Sequence, residues 1–109
     1  MITCFIRYDI DPFKRDQFEH YAKVWGEAIP RCGADLIGYF APHEGSATTA
    51  YGAYNIENLA KYEDYRARLS ADRAGRENYE FASKEQFIRR EERSFYKLVS
   101  SPHGAFKNR

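Results

Sequence analysis

The chain has 109 residues, of which 17 are Lys or Arg and 16 are Asp or Glu, so its formal net charge is +1. This length fits one domain, and the balanced charge gives no long-range field that would attract nucleic acid or an anionic membrane. Hydrophobic residues make up 43% of the chain, with 9 Tyr and 8 Phe, which excludes a disordered protein. We expect a soluble, cytoplasmic domain, because a strand pattern starts directly after Met1 and no apolar run reaches membrane-spanning length.

The two cysteines, Cys4 and Cys32, show neither metal-ligand spacing nor a redox Cys-x-x-Cys motif. Cys4 falls within a strand pattern and should be buried, whereas Cys32 lies near a helix end and is expected to be the exposed thiol. The histidines at positions 20, 43 and 103 have no surrounding pattern that indicates a haem or metal ligand. We therefore predict no metal, no cofactor and no disulfide.

Residues 2–10 predict a strand, because apolar side chains fall on every second position. The opposite face mixes Phe5 with Arg7 and Asp9, as expected where a sheet meets water or another subunit. The face that should pack on helices contains Ile2, Cys4, Ile6, Tyr8 and Ile10.

A helix is predicted to begin at Asp11 and Pro12, since aspartate caps a helix and proline fits its first position. It should end near Ile29, because Pro30 cannot donate the next hydrogen bond and Gly33 opens the following strand. Its apolar face contains Phe18, Tyr21, Ala22, Trp25, Ala28 and Ile29, at helical spacing.

Residues 33–43 and 49–56 predict a β-hairpin, because both are rich in aromatic and branched residues and a polar connector joins them at 44–48. A second helix follows, capped by Asn55 or Asn58. Its predicted apolar stripe, with Tyr65 at the flank, contains Leu59, Tyr62, Arg66 and Leu69.

The periodicity breaks at Gly75, and a further helical piece is predicted over residues 76–89. The last strand should span 92–100, with 101–109 as a C-terminal tail after a single domain of residues 1–100. Arg66 is unusual within an apolar stripe. We expect it to reach solvent or pair with Glu63, and the alternative is a site for a substrate anion.

This order, βαββαβ, predicts an α+β ferredoxin-like fold, in which a four-stranded antiparallel sheet carries helices on one face. The other face would be unusually apolar for a solvated surface. A homodimer in which two such faces meet would bury it, forming a dimeric α/β barrel.

The chain resembles the NIPSNAP-like proteins of the dimeric α/β-barrel superfamily over about residues 1–100. The supporting residues are the stretch from Tyr8 to Pro12, the helix carrying Phe18, Tyr21 and Trp25, Gly33, Leu36 to Phe40, the stretch from Tyr54 to Tyr62, and Arg66. The resemblance implies the barrel fold and the dimer more than an activity. Members of the wider superfamily, including cofactor-independent monooxygenases, isomerases, dye-decolourising peroxidases and chlorite dismutases, use the cavity between sheet and helices.

One functional hypothesis is a small-molecule site in that cavity, which binds a hydrophobic or aromatic ligand and, in its catalytic form, oxygenates or isomerises it, because apolar pockets with a few polar tips are typical of ligand sites. The candidate groups for holding or ionising a substrate are Arg7, His20, His43 and Arg66. The pocket candidates are Tyr8, Tyr21, Trp25, Tyr39, His43, Tyr54 and Arg66.

The alternative hypothesis is a non-catalytic dimeric scaffold protein, because the sequence contains no nucleophile motif and no phosphate-binding glycine loop. RNA recognition also uses this topology. It ranks lower because the chain has no basic patch. The sequence therefore predicts a homodimer with a small-molecule cavity, and it leaves open whether the protein is an enzyme.

Overall fold

The computed structural model describes residues 1–102. The helices and strands follow each other in the predicted order, and the second helical region is broken into two helices. They are β1 (Ile2–Ile10), a short 3-10 turn (Pro12–Lys14), α1 (Arg15–Arg31), β2 (Asp35–Phe40), β3 (Thr49–Ile56), α2 (Leu59–Ala71), α3 (Arg73–Glu85) and β4 (Ile88–Tyr96). All but the first two residues of the predicted tail, 101–109, lie outside the described residues.

The four strands form one antiparallel sheet in the order β2-β3-β1-β4. Ile6 at the centre of β1 lies opposite Gly52 of β3 on one side and Arg93 of β4 on the other. Residues from all three helices pack against one face of this sheet. The ferredoxin-like α+β fold is therefore confirmed.

The core lies between the inner face of the sheet and the helices. Cys4, Ile6, Tyr8 and Ile10 of β1 are buried, and the alternating Phe5 and Arg7 are exposed, as the period of two predicts. The predicted apolar face of α1 also packs inward, with Phe18, Tyr21, Trp25, Ala28 and Ile29 buried.

Two features at the end of α1 differ from the sequence prediction. The helix runs past Pro30 to Arg31, because proline forfeits one hydrogen bond while the amides of the following residues, from Cys32 on, bond to the last helical carbonyls. Gly33, with φ of 109°, completes this helix end instead of opening β2. Cys32 packs beneath the turn and is buried, so the prediction of an exposed thiol was wrong.

The second helical region also departs from the prediction. The break falls at Asp72, whose carboxylate caps α3 by accepting a hydrogen bond from the Gly75 amide at 2.9 Å. Asn58 caps α2, and Leu59 is exposed, so the buried stripe centres on Tyr65 and Leu69.

The predicted boundary between α3 and β4 was wrong by about four residues. Gln86 adopts a left-handed conformation, φ 55°, that ends α3 at Glu85, and the core buries Phe87 completely. Strand β4 therefore begins at Ile88 and ends at Tyr96, whereas the sequence pattern favoured 92–100.

The outer face of the sheet carries exposed aromatic side chains. Phe5, Tyr51 and Tyr96 are 43%, 44% and 56% exposed, although all three belong to paired strands. Within residues 1–102, no helix combines the length and apolar character needed to cross a bilayer.

Asp72 ties the ends of two helices together, and its replacement provides a test of the fold. Its two carboxylate oxygens accept hydrogen bonds from Arg31 at 3.0 and 2.9 Å while it caps α3. We predict that Asp72→Ala lowers the free energy of unfolding at pH 7 by about 1 kcal/mol, measured by urea denaturation, because the cap is lost.

Asp72→Asn is the matched control, since it keeps a capping oxygen but removes the charge. The hydrogen bonds from Arg31 and then from the Gly75 amide lower the pKa of Asp72. Its charge therefore stabilises the fold above the unfolded-state pKa of about 4, and that contribution is lost as the pH falls further. The stability difference between the parent chain and Asp72→Asn should shrink between pH 6 and pH 3, and a constant difference would contradict the assignment.

Candidate functional site

A cavity lies between the inner face of the sheet and the three helices. Its volume is about 20 Å³, enough for about one water molecule. Of the seven pocket residues predicted from the sequence, the structure brings six to its wall. These are Tyr8, Tyr21, Trp25, Tyr39, Tyr54 and Arg66.

The remaining candidates lie elsewhere. His43 is exposed in the β2–β3 connection, and Arg7 is on the outer face of the sheet, 3.7 Å from Asp9. His20 is exposed on α1, with its ring edge-on to Phe81. The structure thus places no histidine at the cavity within the described residues.

Half of the residues that line the cavity were not predicted from the sequence. The missed residues are Ile6, Ile29, Tyr65, Leu69, Tyr79 and Arg93. Arg93 was not predicted because it lies near the start of the last strand as predicted, residues 92–100. The period of two that links it to Phe95 would have placed it on the inner face, since Phe95 lies opposite the buried Cys4.

Six tyrosines make up half of the residues that line the cavity, and the rings of five of them pack in contact with another tyrosine ring. The hydroxyls of Tyr8 and Tyr39 are 3.1 Å apart and share a hydrogen bond. Burial, which disfavours the phenolate, raises the pKa of Tyr8, Tyr39 and Tyr54 above the usual tyrosine value. These hydroxyls therefore stay protonated at neutral pH and can donate as well as accept hydrogen bonds.

Arg93 places a permanent positive charge on the inner face of the sheet. Its Nη2 donates to Glu91 Oε2 at 2.9 Å, while its Nε is buried and has no hydrogen-bond partner within the described chain. An unpaired buried donor costs about 1–3 kcal/mol. Burial works against the charge, but the attraction of Glu91, with smaller contributions from Tyr62 and Tyr54, outweighs it and raises the pKa of Arg93.

Arg66 supplies a second guanidinium from the side of α2. It donates to Tyr62 Oη at 2.6 Å, with the Tyr62 ring centroid 5.6 Å from Arg66 Cζ. Arg66 thus bonds to Tyr62, one helical turn earlier, instead of forming the ion pair with Glu63 that the sequence suggested. Arg66 is exposed, as is Tyr79 on α3, so these two side chains stand where the cavity meets solvent.

The wall offers hydrogen-bond donors but no evident base. Among the described residues that line the cavity, none is His, Asp or Glu. The thiol of Cys4 lies beneath, and burial raises its pKa, so it is not a thiolate nucleophile. No group of three or more potential metal ligands is found within residues 1–102. The arrangement can hold a polar or anionic group between aromatic rings.

Comparison with known proteins identifies the family. The NIPSNAP family profile matches residues 3–102. The chain belongs to the NIPSNAP family. A search of curated protein sequences gave no significant match.

Solved structures share the fold of this NIPSNAP chain over nearly its whole length. A NIPSNAP-like domain protein from Burkholderia xenovorans is 25% identical, with a TM-score of 0.72 and coverage of 93% of this chain and 88% of the other. A protein from Agrobacterium tumefaciens is 19% identical, with a TM-score of 0.78 and coverage of 94% and 98%. A candidate antibiotic biosynthesis monooxygenase from Nitrosomonas europaea is 9% identical, with a TM-score of 0.70 and coverage of 92% and 100%.

Gly52 determines the position of one cavity wall. A Cβ at this residue would lie 2.7 Å from Cε1 of Tyr39, a contact too short to persist. We predict that Gly52→Ala displaces the Tyr39 ring from Tyr8 and lowers the free energy of unfolding by about 1–3 kcal/mol, as overpacking does. Urea denaturation measures this change.

Gly26→Ala is the matched control, because no atom lies within 4 Å of the added methyl group in the middle of α1. Alanine there should raise the stability by about 0.5–1 kcal/mol, since it restricts the unfolded chain and favours the helix. Equal effects of the two substitutions would show that Tyr39 does not depend on the space above Gly52.

Proposed function

We propose that this NIPSNAP protein is a homodimer that binds a small aromatic ligand in the cavity between sheet and helices. The observation that supports it best is the cavity wall, where six tyrosines and Trp25 surround two guanidinium groups. A purely structural core would favour hydrocarbon side chains, because each buried hydroxyl or charge must find a partner. Aromatic walls with a few polar groups are typical of ligand sites.

Binding requires the cavity to widen, since about 20 Å³ is too small for an aromatic ring. The side chains able to move are those at its mouth. Arg66 is held by a hydrogen bond to Tyr62, and Tyr79 is 41% exposed and packs edge-on against Trp25. A ligand would displace these two rather than the inner tyrosines.

A second candidate function is cofactor-independent oxygenation or isomerisation. The fold is shared with a candidate monooxygenase, and the Arg93 guanidinium and tyrosine hydroxyls would stabilise a substrate anion. Because the described wall contains no His, Asp or Glu, the substrate would have to ionise without a strong base from the protein. That requirement makes ligand binding the first choice.

A fluorescence titration tests ligand binding. Trp25 is the one tryptophan of the chain and lines the cavity, so its emission reports occupancy. We predict that at least one member of a panel of quinols, phenols and aromatic acids changes this emission saturably and raises the melting temperature. Oxygen uptake with the same panel would favour the second candidate.

If no member of the panel binds, the tyrosine cluster is core packing, and the proposed function fails in favour of a non-catalytic scaffold. Val24 does not line the cavity, so Val24→Ala should leave the titration unchanged and serves as the control variant.

The proposed dimer uses the outer face of the sheet. Phe5, Tyr51 and Tyr96 lie on adjacent strands of that face, with Arg7 opposite Glu92 between them. Aromatic residues with a few matched charges are typical of subunit interfaces. A cytoplasmic location is proposed with it, supported by two cysteines that remain free.

Substitution on the outer face tests the dimer. We predict that Phe5→Lys converts a dimer into a monomer in size-exclusion chromatography with light scattering, because it places a charge within the buried face. Phe13→Lys is the control, since Phe13 is 93% exposed in the turn after β1 and not on the sheet. A parent chain that is monomeric at tens of micromolar, or a loss of the dimer with Phe13→Lys alone, would refute this interface.

A further inference from the structure

The charges at the cavity do not balance. Arg66 and Arg93 line it, and no lining residue in the described chain is a carboxylate. Among the described residues, the carboxylate paired with these arginines is that of Glu91, which contacts Arg93 and has a side chain 34% exposed. Arg66 makes its contact with the neutral hydroxyl of Tyr62. Within the described residues Arg66 has no acidic partner at the site, but it is exposed to solvent, so the buried group that lacks a partner is Arg93 Nε.

The donors at the cavity are also incompletely used. Arg93 donates from Nη2 to Glu91, and its buried Nε has no hydrogen-bond partner among residues 1–102, although buried donors in proteins are nearly always satisfied. A water molecule would fit the present cavity and could satisfy Nε. An anion that displaced this water would accept the hydrogen bond from Nε and would also lie beside the two guanidinium groups of the lining.

We propose that the ligand is a small aromatic carboxylate, with its carboxylate on Arg93 Nε and its ring among the tyrosines. This inference deepens the proposed function and rests on it. A carboxylate is favoured over a phosphate because a planar carboxylate fits the planar guanidinium. The protonated hydroxyls of Tyr8 and Tyr39 supply further donors nearby.

The test compares matched ligands on the unaltered protein. Benzoate, phenylacetate and cinnamate are titrated against Trp25 fluorescence, each beside its neutral amide, with inorganic phosphate as a separate arm. We expect at least one carboxylate to bind about tenfold or more tightly than its amide, because the amide lacks the charge that Arg93 recognises.

Variants then assign the contact. Arg93→Gln should weaken carboxylate binding about tenfold or more, and Arg93→Lys should also weaken it, since lysine keeps the charge but lacks Nε. Arg73→Gln should leave binding unchanged, because Arg73 is 86% exposed and pairs with Glu77 on the surface of α3. Circular dichroism checks that each variant folds. If Arg93→Gln does not fold, the comparison of each acid with its amide on the unaltered protein remains decisive.

The outcomes separate the two proposals. Binding of amides or phenols as tight as that of the acids would overturn the carboxylate assignment and leave the cavity as a ligand site. Tighter binding of phosphate than of any carboxylate would also overturn it. Failure of all these compounds, including the panel of quinols and phenols, would overturn the proposed function itself.

Discussion

The guanidinium of Arg93 is the constraint on which the interior of this protein depends. A charge between a sheet and its helices is tolerated only if polar groups surround it. Glu91 provides one of them, on the same face of β4, and Tyr54 and Tyr62 lie close enough to stabilise the charge. At the other end of the core, near Ile10, the packing residues Phe18 and Phe87 carry no polar atoms in their side chains. Tyrosines of the cavity wall pack directly against Phe18, so a hydrocarbon region adjoins the hydroxyl-rich region in which the cavity lies.

Periodicity predicted those parts of the fold in which one rule decides the outcome. Strand β1 alternates without interruption and α1 has a continuous apolar stripe, so both faces were assigned correctly. The boundary between α3 and β4 was misplaced because Phe87 and Ile88 continue the helical spacing of the apolar residues before them. What ends the helix is the left-handed backbone of Gln86, and glutamine carries no clear preference for that conformation. Phe87 is buried by ring contacts with Phe18 and Phe81. The spacing of apolar residues around Phe87 does not reveal these tertiary contacts.

The composition of the cavity was predictable, but its electrostatics were not. Alternation along β1 and β3 and the apolar stripe of α1 turn Tyr8, Tyr54 and Tyr21 inward, and six of the seven candidates reach the wall. The charge came from Arg93, which the sequence presents as one of several arginines and glutamates in a row from Arg89. Only the antiparallel register, which sets Arg93 beside Ile6, separates it from Arg90 and Glu92 on the outer face. His43 failed as a candidate for the converse reason, because the β2–β3 connection carries it away from the sheet.

The two proposed surfaces, cavity and dimer face, belong to the same strands. In β1, Tyr8 points to the cavity and Arg7 to the outer face, and in β3 Tyr54 and Tyr51 divide in the same way. A sheet that is packed on both sides cannot shift to admit a ligand without disturbing both. The helices are under no such restriction, since Arg66 and Tyr79 contact the cavity from one side and solvent from the other. If the cavity binds a ligand as proposed, the sheet, which holds Arg93, recognises it and the helices control access, so substitutions at the mouth should alter binding rates more than the choice of ligand.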